Sequence, residues 1–309
     1  MAELAVVIVN HNTRHLLRAC LTTVEGHILT SDATVIVVDN ASSDGSVEMV
    51  RSEFPRVSLI ANGENVGFAR ANNMAIEASD SETVLLLNPD AFPRERALDE
   101  LRSVLRSDNR IAVAGPRMYG GDGRLLASAH CFESLGRLAA TALGIHELLP
   151  SSALRWAARF LGRTGDLHRV NYEAVAPVEV DWVSGACMMV RRSALAEVGL
   201  LDERYFMYME DEDWCRRFKN AAYRVVYVPS AEVTHLVGTS SSSKLCRARA
   251  YLDSRLTYHK QYNPRLYRVF SLLSYLYAVR QCGILGAPEL FDRRPEFQMG
   301  LPAPRKAEP

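Results

Sequence analysis

Apolar and polar positions in the first third of the chain follow two alternating periods, one typical of buried strands and one of amphipathic helices. Continuous β-branched runs predict strands at Leu4–Val9, Thr34–Val38, Val57–Ala61 and Thr83–Leu87. Helices are predicted between them at Arg14–Gly26, from about Ser46, and at Gly67–Ala78. Because strands that alternate with helices form βαβ units, this part predicts an α/β fold with a mostly parallel sheet flanked by helices.

The pattern changes near residue 119. Apolar helices at Leu135–Leu149 and Leu154–Leu161 predict a helical insertion over residues 119–177. Beyond it, strands at Val178–Val183, Ala186–Val190 and Tyr223–Val228 and a short helix at Arg192–Gly199 are predicted. We therefore predict one α/β domain over residues 1–245, with halves at 1–118 and 178–245, followed by a helical basic tail at 246–309.

Charge and cysteine content exclude several classes of protein. The 36 Lys and Arg are balanced by 36 Asp and Glu, so no basic surface indicates a nucleic-acid partner. The six cysteines are scattered singly, without the paired spacing of a zinc site, which favours a reducing compartment. The N-terminus runs into a strand without a basic segment, so no signal peptide is predicted. We expect a cytoplasmic protein.

The predicted tail differs in charge from the rest of the chain. Residues 246–309 carry eleven Lys or Arg against five Asp or Glu, interleaved with six tyrosines. Such a tail suits peripheral contact with an anionic membrane surface, and a helix packed on its own domain explains the pattern equally well. Its longest apolar stretch, Val269–Ile284, is interrupted by Arg280 and Gln281, so no transmembrane helix is predicted.

Polar residues follow three of the predicted parallel strands, where open α/β sheets bind their ligands. These residues are Asn10, Asp39 and Asp90. The turn after the first strand, Asn10-His11-Asn12-Thr13, lacks the GxGxxG of dinucleotide enzymes. It also lacks the glycine-rich basic loop with which nucleotidyltransferases hold a triphosphate, so both classes are disfavoured.

Four consecutive acids, Glu210 to Asp213, are bracketed by aromatic and apolar residues. Burial among such neighbours raises the pKa of a carboxyl, which suits a general base near neutral pH. The alternative is a first helical turn whose acids complement the helix dipole. His235 follows a predicted strand and is a plausible metal ligand only if Asp90 also binds the ion.

Six sequence motifs occur in the order found in glycosyltransferase family 2, which the chain resembles. The residues within these motifs are similar to those of the family's bacterial rhamnosyltransferase branch. The match runs from about Ala5 to Tyr262. The motifs are Asp39–Ser46, Asn65–Asn73, Leu87–Asp90, Val183–Ala186, Phe206–Asp211 and the stretch from His235 to Ser240. The resemblance implies a GT-A fold, a divalent ion (Mg²⁺ or Mn²⁺) and inversion at the anomeric carbon.

The resemblance also implies roles for individual residues. Asp211 is expected to be the catalytic base, and Asp90 and His235 the metal ligands. The first position of the family's DxD motif is Asn88 here, which leaves the metal site one charge short. The expected substrate contacts are Asn10, Asp39, Asn65, Arg70, Asn88 and Glu210, with Trp182, Gly185 and Ala186 beside the acceptor.

The activity implied is transfer of one sugar from a nucleoside-diphosphate donor to a hydroxyl of a lipid-linked saccharide, in cell-surface polysaccharide synthesis at the inner face of the membrane. L-Rhamnose from dTDP-rhamnose is the first choice of donor. Transfer of another hexose or of galactofuranose is the alternative within the family. A non-catalytic sugar- or lipid-binding scaffold is the alternative outside enzymes.

Overall fold

The computed structural model describes residues 2–27, 33–144, 170–171, 173–237 and 244–282. The strands are β1 Leu4–Asn10, β2 Ala33–Asp39, β3 Ser58–Ala61, β4 Thr83–Leu87, β5 Ala91–Pro93, β6 Ile111–Tyr119, β7 Leu125–Leu126, β8 Ala129–His130, β9 Val178–Val180, β10 Trp182–Val183, β11 Cys187–Arg191 and β12 Arg224–His235. The α-helices are α1 Arg14–His27, α2 Ser46–Glu53, α3 Phe68–Glu77, α4 Ala97–Ser107, α5 Leu135–Ala142, α6 Leu195–Val198, α7 Glu210–Asn220, α8 Lys244–Tyr262 and α9 Tyr267–Cys282.

One mixed sheet forms the centre of the molecule, with the strand order β3-β2-β1-β4-β11-β6-β12-β5. The first four strands are mutually parallel, and β6 and β12 run in the same direction. β11 is antiparallel to both of its neighbours, and β5 is antiparallel to β12. The predicted α/β architecture, a mostly parallel sheet flanked by helices, is therefore confirmed.

Apolar cores cover both faces of the sheet because successive strand residues point to opposite sides. Val6 and Ile8 of β1 pack on one side with Leu17 and Leu21 of α1. Val7 packs on the other side in the core that also contains α3 and α7. All of these side chains of β1 and α1 are fully buried, and each contributes roughly 1.5–3 kcal/mol to folding.

The second half of the chain departs from the predicted strands in two places. The predicted strand Val178–Val183 is divided at Asp181: β9 pairs with β12, whereas β10 pairs with β8. β12 extends to His235, well past the predicted end at Val228. Its pairing with β6 shifts register between Val228 and Glu232 and then resumes, so the strand continues. Such a β-bulge accommodates Pro229, which ends the apolar pattern in the sequence.

The predicted insertion and tail contact each other in their described parts. α5 falls within the predicted helix Leu135–Leu149, whose last five residues, like the predicted helix Leu154–Leu161, lie outside the described residues. α9 packs against α8 and α5. None of the described helices combines the length and apolar character needed to cross a bilayer. The proposed domain boundaries stay a prediction.

Candidate active site

A cleft of about 470 Å³ opens at the carboxyl ends of β1 and β4. The segment before β11 lies beside the end of β4, where Asn88 N donates to Ala186 O at 2.9 Å, and the start of α7 also lines the cleft. The residues that line it are Val9, His11, Thr13, Asn40, Asn65, Gly67, Phe68, Asn88, Pro89, Asp90, Ser184, Gly185, Ala186, Phe206, Met207, Tyr208, Glu210, Asp211, His235, Val237 and Arg247. Residues far apart in the sequence therefore meet at the sheet edge where ligands are expected.

Beneath the cleft, the ends of β1 and β2 are joined by a buried polar network. Asn10 Nδ2 donates to Asp39 Oδ2 at 2.8 Å, and the backbone N–H of Ser42 donates to Asp39 Oδ1 at 2.8 Å. Thr13 Oγ1 donates to Asn10 Oδ1 at 2.6 Å. Asn10 and Asp39 are almost fully buried and do not line the cleft, so their predicted contacts with substrate stay predictions.

Asp90 and His235 lie side by side in the cleft. Pairing of β5 with β12 sets His235 opposite Ala91, the residue after Asp90. His235 Nε2 is 3.2 Å from Asp90 Oδ1, and both side chains are mostly buried. One carboxylate oxygen and one imidazole nitrogen suit a divalent ion whose remaining ligands are phosphate and water oxygens.

The fit of a metal is limited by the number of protein ligands. Among the described residues, no group of three or more His, Cys, Asp or Glu side chains could hold an ion. Asn88, which also lines the cleft, replaces the acid of the DxD motif. The Asp90–His235 pair therefore fits an ion that is held jointly with the diphosphate of a bound donor.

Asp211 is fixed by the backbone on both of its carboxylate oxygens. Gly185 N donates to Oδ2 at 3.0 Å and Glu212 N donates to Oδ1 at 2.9 Å. A Cβ on Gly185 would lie 3.3 Å from Asp211 Cβ, so the absence of a side chain permits this close approach. Burial raises the pKa of Asp211, while the hydrogen bonds from Gly185 and Glu212 act in the opposite direction.

Glu210, the neighbour of Asp211, also lines the cleft. Its Oε2 atom is buried and has no hydrogen-bond partner among the described residues. Burial raises the pKa of Glu210 well above its usual value, and the adjacent Asp211 carboxylate raises it further. Tyr208 and Met209, just before the helix, have φ angles of 72° and 68°, a strained conformation often found at functional sites.

The last two acids of the run support the protein's own structure. Glu212 accepts a hydrogen bond from Glu133 N at 2.9 Å, and burial raises its pKa to about 7. Asp213 forms an ion pair with Arg217 at 2.8 Å and accepts a hydrogen bond from Tyr262 at 2.7 Å. The four consecutive acids therefore divide into two that line the cleft and two that are bound internally.

Eight of the twelve predicted site residues line the cleft, and besides the buried Asn10 and Asp39, Arg70 and Trp182 do not. Arg70 is exposed on α3, 3.9 Å from Glu203, and does not line the cleft. The ring of Trp182 stacks on His130 with 4.0 Å between centroids, and its indole N–H donates to Cys131 O. The predicted roles of Arg70 and Trp182 therefore have no support from the geometry.

Thirteen of the 21 lining residues were not predicted as site residues, among them the polar His11, Asn40, Tyr208 and Arg247. His11 and Asn40 directly follow β1 and β2, so their polar character at strand ends could have indicated them. Tyr208 lies within a recognised motif, beside the predicted Glu210. Arg247 carries no local signal, because only the packing of α8 brings it to the cleft.

The family model for glycosyl transferase family 2 matches residues 5–199. The chain belongs to this family. A curated relative from Mycobacterium tuberculosis strain H37Rv, N-acetylglucosaminyl-diphospho-decaprenol L-rhamnosyltransferase, is 35% identical over 215 residues, which are 65% of this chain and 66% of the relative. The matched region is thus slightly less than two thirds of that relative. Rhamnosyltransferase WbbL of Escherichia coli K12 is 26% identical over 72% of this chain and 81% of its own.

Solved structures confirm the GT-A fold. The mannosyltransferase PcManGT from Pyrobaculum calidifontis, in complex with GDP-Man and Mn²⁺, has a TM-score of 0.57 and 17% identity over 95% of this chain and 76% of its own. GalNAc-T7 with UDP, GalNAc and Mn²⁺ has a TM-score of 0.55 and 15% identity over 94% of this chain and 56% of its own. At these identities the likeness establishes the fold alone.

Proposed function

We propose that this protein is an inverting glycosyltransferase that moves one sugar from a nucleoside-diphosphate donor to a hydroxyl of a diphospholipid-linked saccharide. The observation that carries the proposal is the shared cleft, which Asp90, His235 and Asp211 all line. L-Rhamnose from dTDP-rhamnose is the proposed donor sugar, since two of the similar relatives are rhamnosyltransferases.

The chemistry follows from where charge develops. Breaking the sugar–phosphate bond leaves negative charge on the departing diphosphate, which Asp90 and His235 would face through a shared Mg²⁺ or Mn²⁺. This ion would supply electrostatic stabilisation of the leaving group. Mn²⁺ in the structures of PcManGT and GalNAc-T7 supports this proposal.

Asp211 accepts the proton of the acceptor hydroxyl as its oxygen attacks the anomeric carbon from the opposite side. Attack in line with the leaving group inverts the configuration at that carbon. The backbone N–H groups of Gly185 and Glu212 hold the carboxylate oriented, so little rearrangement is needed in the transition state. Its raised pKa strengthens it as a base.

Glu210 has a different role in this mechanism. Burial and the adjacent Asp211 carboxylate both raise the pKa of Glu210, which favours the protonated form of Glu210. A protonated carboxyl can donate a hydrogen bond to a substrate oxygen. The proposed arrangement therefore separates the two acids into a base and a neutral donor.

The exposed face of α9 supports peripheral contact with a membrane. Val269, Leu272 and Leu276 are 45%, 60% and 42% exposed and lie on one side of this helix. Arg265 and Arg268 are exposed near its start. Apolar side chains beside arginines suit the interface of an anionic bilayer, where a lipid-linked acceptor is found.

A donor screen tests the proposed function. Purified protein is incubated with Mn²⁺, a panel of nucleotide sugars that includes dTDP-rhamnose, UDP-galactofuranose and UDP-hexoses, and a short-chain diphospholipid-linked N-acetylglucosamine. The expected result is a single glycosylated product with inverted anomeric configuration and one preferred donor. A scaffold protein would yield no product and no donor hydrolysis with any sugar, which would refute the proposal.

A further inference from the structure

A second cavity of about 330 Å³ lies between α8 and α9 and adjoins the active-site cleft. We call it the tyrosine pocket, defined by Tyr208, Arg247, Tyr251, Tyr277 and Gln281. Tyr208 and Arg247 line both cavities, so the pocket lies next to the cleft that contains Asp211. Its volume lies within the range of about 300–1,000 Å³ that is usual for small-ligand sites.

The aromatic walls of the tyrosine pocket are held by a buried cation. The guanidinium of Arg255 lies 4.5 Å from the ring centroid of Tyr251 and 4.6 Å from that of Tyr277. Arg255 also donates to Glu133 at 2.7 Å and to the Tyr251 hydroxyl at 3.0 Å. Because Arg255 is itself buried, the two rings are fixed before any ligand arrives, which lowers the entropic cost of binding.

The lining indicates the chemical class of the ligand. Aromatic rings with a few polar groups, here the Gln281 amide and tyrosine hydroxyls, suit the mixed apolar and hydroxyl surface of a saccharide. Arg247 adds a guanidinium where the pocket meets the cleft, and guanidinium groups bind phosphate through two parallel hydrogen bonds. A saccharide carrying a phosphate group matches both features.

We propose that the tyrosine pocket binds the acceptor, with Arg247 pairing with the diphosphate that joins the acceptor saccharide to its lipid. The acceptor saccharide then lies against the rings of the tyrosine pocket, with its reacting hydroxyl directed toward Asp211 in the cleft and its diphosphate beside Arg247. This inference rests on the proposed function, and it adds Arg247 as the residue that selects an acceptor with a charged diphosphate.

The donor also carries a diphosphate, so the test must separate the two sources of this group. Two acceptors are compared that share one saccharide and one chain length, the first linked through a diphosphate and the second through an uncharged ether. Steady-state rates are measured for the wild type, Arg247→Ala, Arg247→Lys and the control Arg249→Ala. Arg249 lies two residues away on α8, pairs with Asp253 at 3.1 Å and lines neither cavity.

Arg247→Ala is expected to raise the KM of the diphosphate acceptor by about 10- to 100-fold, the usual effect of losing a hydrogen bond to a charged group. The KM of the uncharged acceptor, the KM of the donor and the melting temperature should stay unchanged. Arg247→Lys should give an intermediate KM because it retains the charge without the paired donors. Arg249→Ala should match the wild type.

Two results would overturn this inference while leaving the proposed function intact. A rise in the donor KM alone would assign Arg247 to the donor diphosphate. Equal changes with both acceptors, or none with either, would show that Arg247 does not recognise the acceptor's charge. Failure of the wild type to glycosylate either acceptor would instead refute the proposed function, and the acceptor site with it.

Discussion

The substitution Asp211→Asn tests the central assignment most directly. The side chain keeps its size, but it loses the negative charge and the ability to take a proton. In the wild type, Gly185 N and Glu212 N each donate to a different oxygen of Asp211, at 3.0 Å and 2.9 Å. Asparagine has one oxygen, so one of these two N–H groups must face the amide NH₂.

The structural cost of this change is small compared with its catalytic cost. Losing one hydrogen bond to a charged group costs about 1.5–3 kcal/mol, offset in part because a buried charge disappears. General-base assistance contributes about 100- to 10,000-fold in rate, or roughly 3–5 kcal/mol of barrier. We therefore expect a folded variant with normal donor affinity and a turnover at least about 100-fold lower.

The assay compares initial rates of transfer at saturating donor and acceptor, and donor affinity is measured by calorimetry with Mn²⁺. Two neutralised neighbours serve as controls. Glu210→Gln should retain turnover within about tenfold, because Asp211 is the proposed base and the glutamine amide can still donate a hydrogen bond. Asp213→Asn should lower stability more than turnover, since its carboxylate pairs with Arg217 and Tyr262 outside the cleft. An Asp211→Asn variant that keeps more than about a tenth of the wild-type turnover would refute the base assignment.

Three further predictions concern the ion, the buried acids and the membrane. Asp90→Ala should abolish the Mn²⁺ dependence of donor binding, and an affinity unaffected by EDTA in the wild type would contradict a shared metal. Burial raises the pKa of Glu212 from 4.5 to about 7, so the native state binds the extra proton between these values and its stability falls as pH rises through them. Glu212→Gln should remove this pH-dependent loss of stability, which is about 3 kcal/mol at most. The melting temperature of the variant minus that of the wild type should therefore increase from pH 4.5 to 7. A difference that stays constant with pH would contradict the prediction. Leu272→Glu should abolish flotation with anionic liposomes while transfer to a detergent-soluble acceptor persists, and absence of wild-type flotation would remove the membrane proposal.

The parallel half of the sheet could be predicted because its signals are local. β4 was predicted at its observed bounds, Thr83–Leu87, since a strand buried on both faces is a continuous apolar run. Asp90 follows this strand directly, so its position at the sheet edge follows from the strand itself. The same argument predicts that Asn10 and Asp39 lie at the carboxyl ends of β1 and β2. The structure has them there, but both side chains are buried and do not line the cleft.

The second half could be predicted only in part, because partner choice is not encoded locally. The alternating stretch Val178–Val183 is consistent with one strand, but its two ends pair with different strands on either side of Asp181. β12 continues beyond Pro229 only because a bulge restores its pairing with β6. His235 lies at the end of this extension of β12. Because the sequence pattern does not predict the extension, it gave only a conditional prediction of His235 as a metal ligand.

The limits of prediction coincide with the proposed division between a donor side and an acceptor side. The family model ends at residue 199, before Asp211, His235 and Arg247. Donor-side residues follow their strands within a few positions, so any chain with this sheet presents them in similar places. The acceptor side instead depends on long-range contacts, such as Glu133 with Glu212 and with Arg255, which attach the C-terminal helices to the start of α7. If the acceptor binds beside α8 and α9 as proposed, we predict that substitutions there change the acceptor without disturbing the donor site, and that homologues with the same strand-end motifs need not share an acceptor.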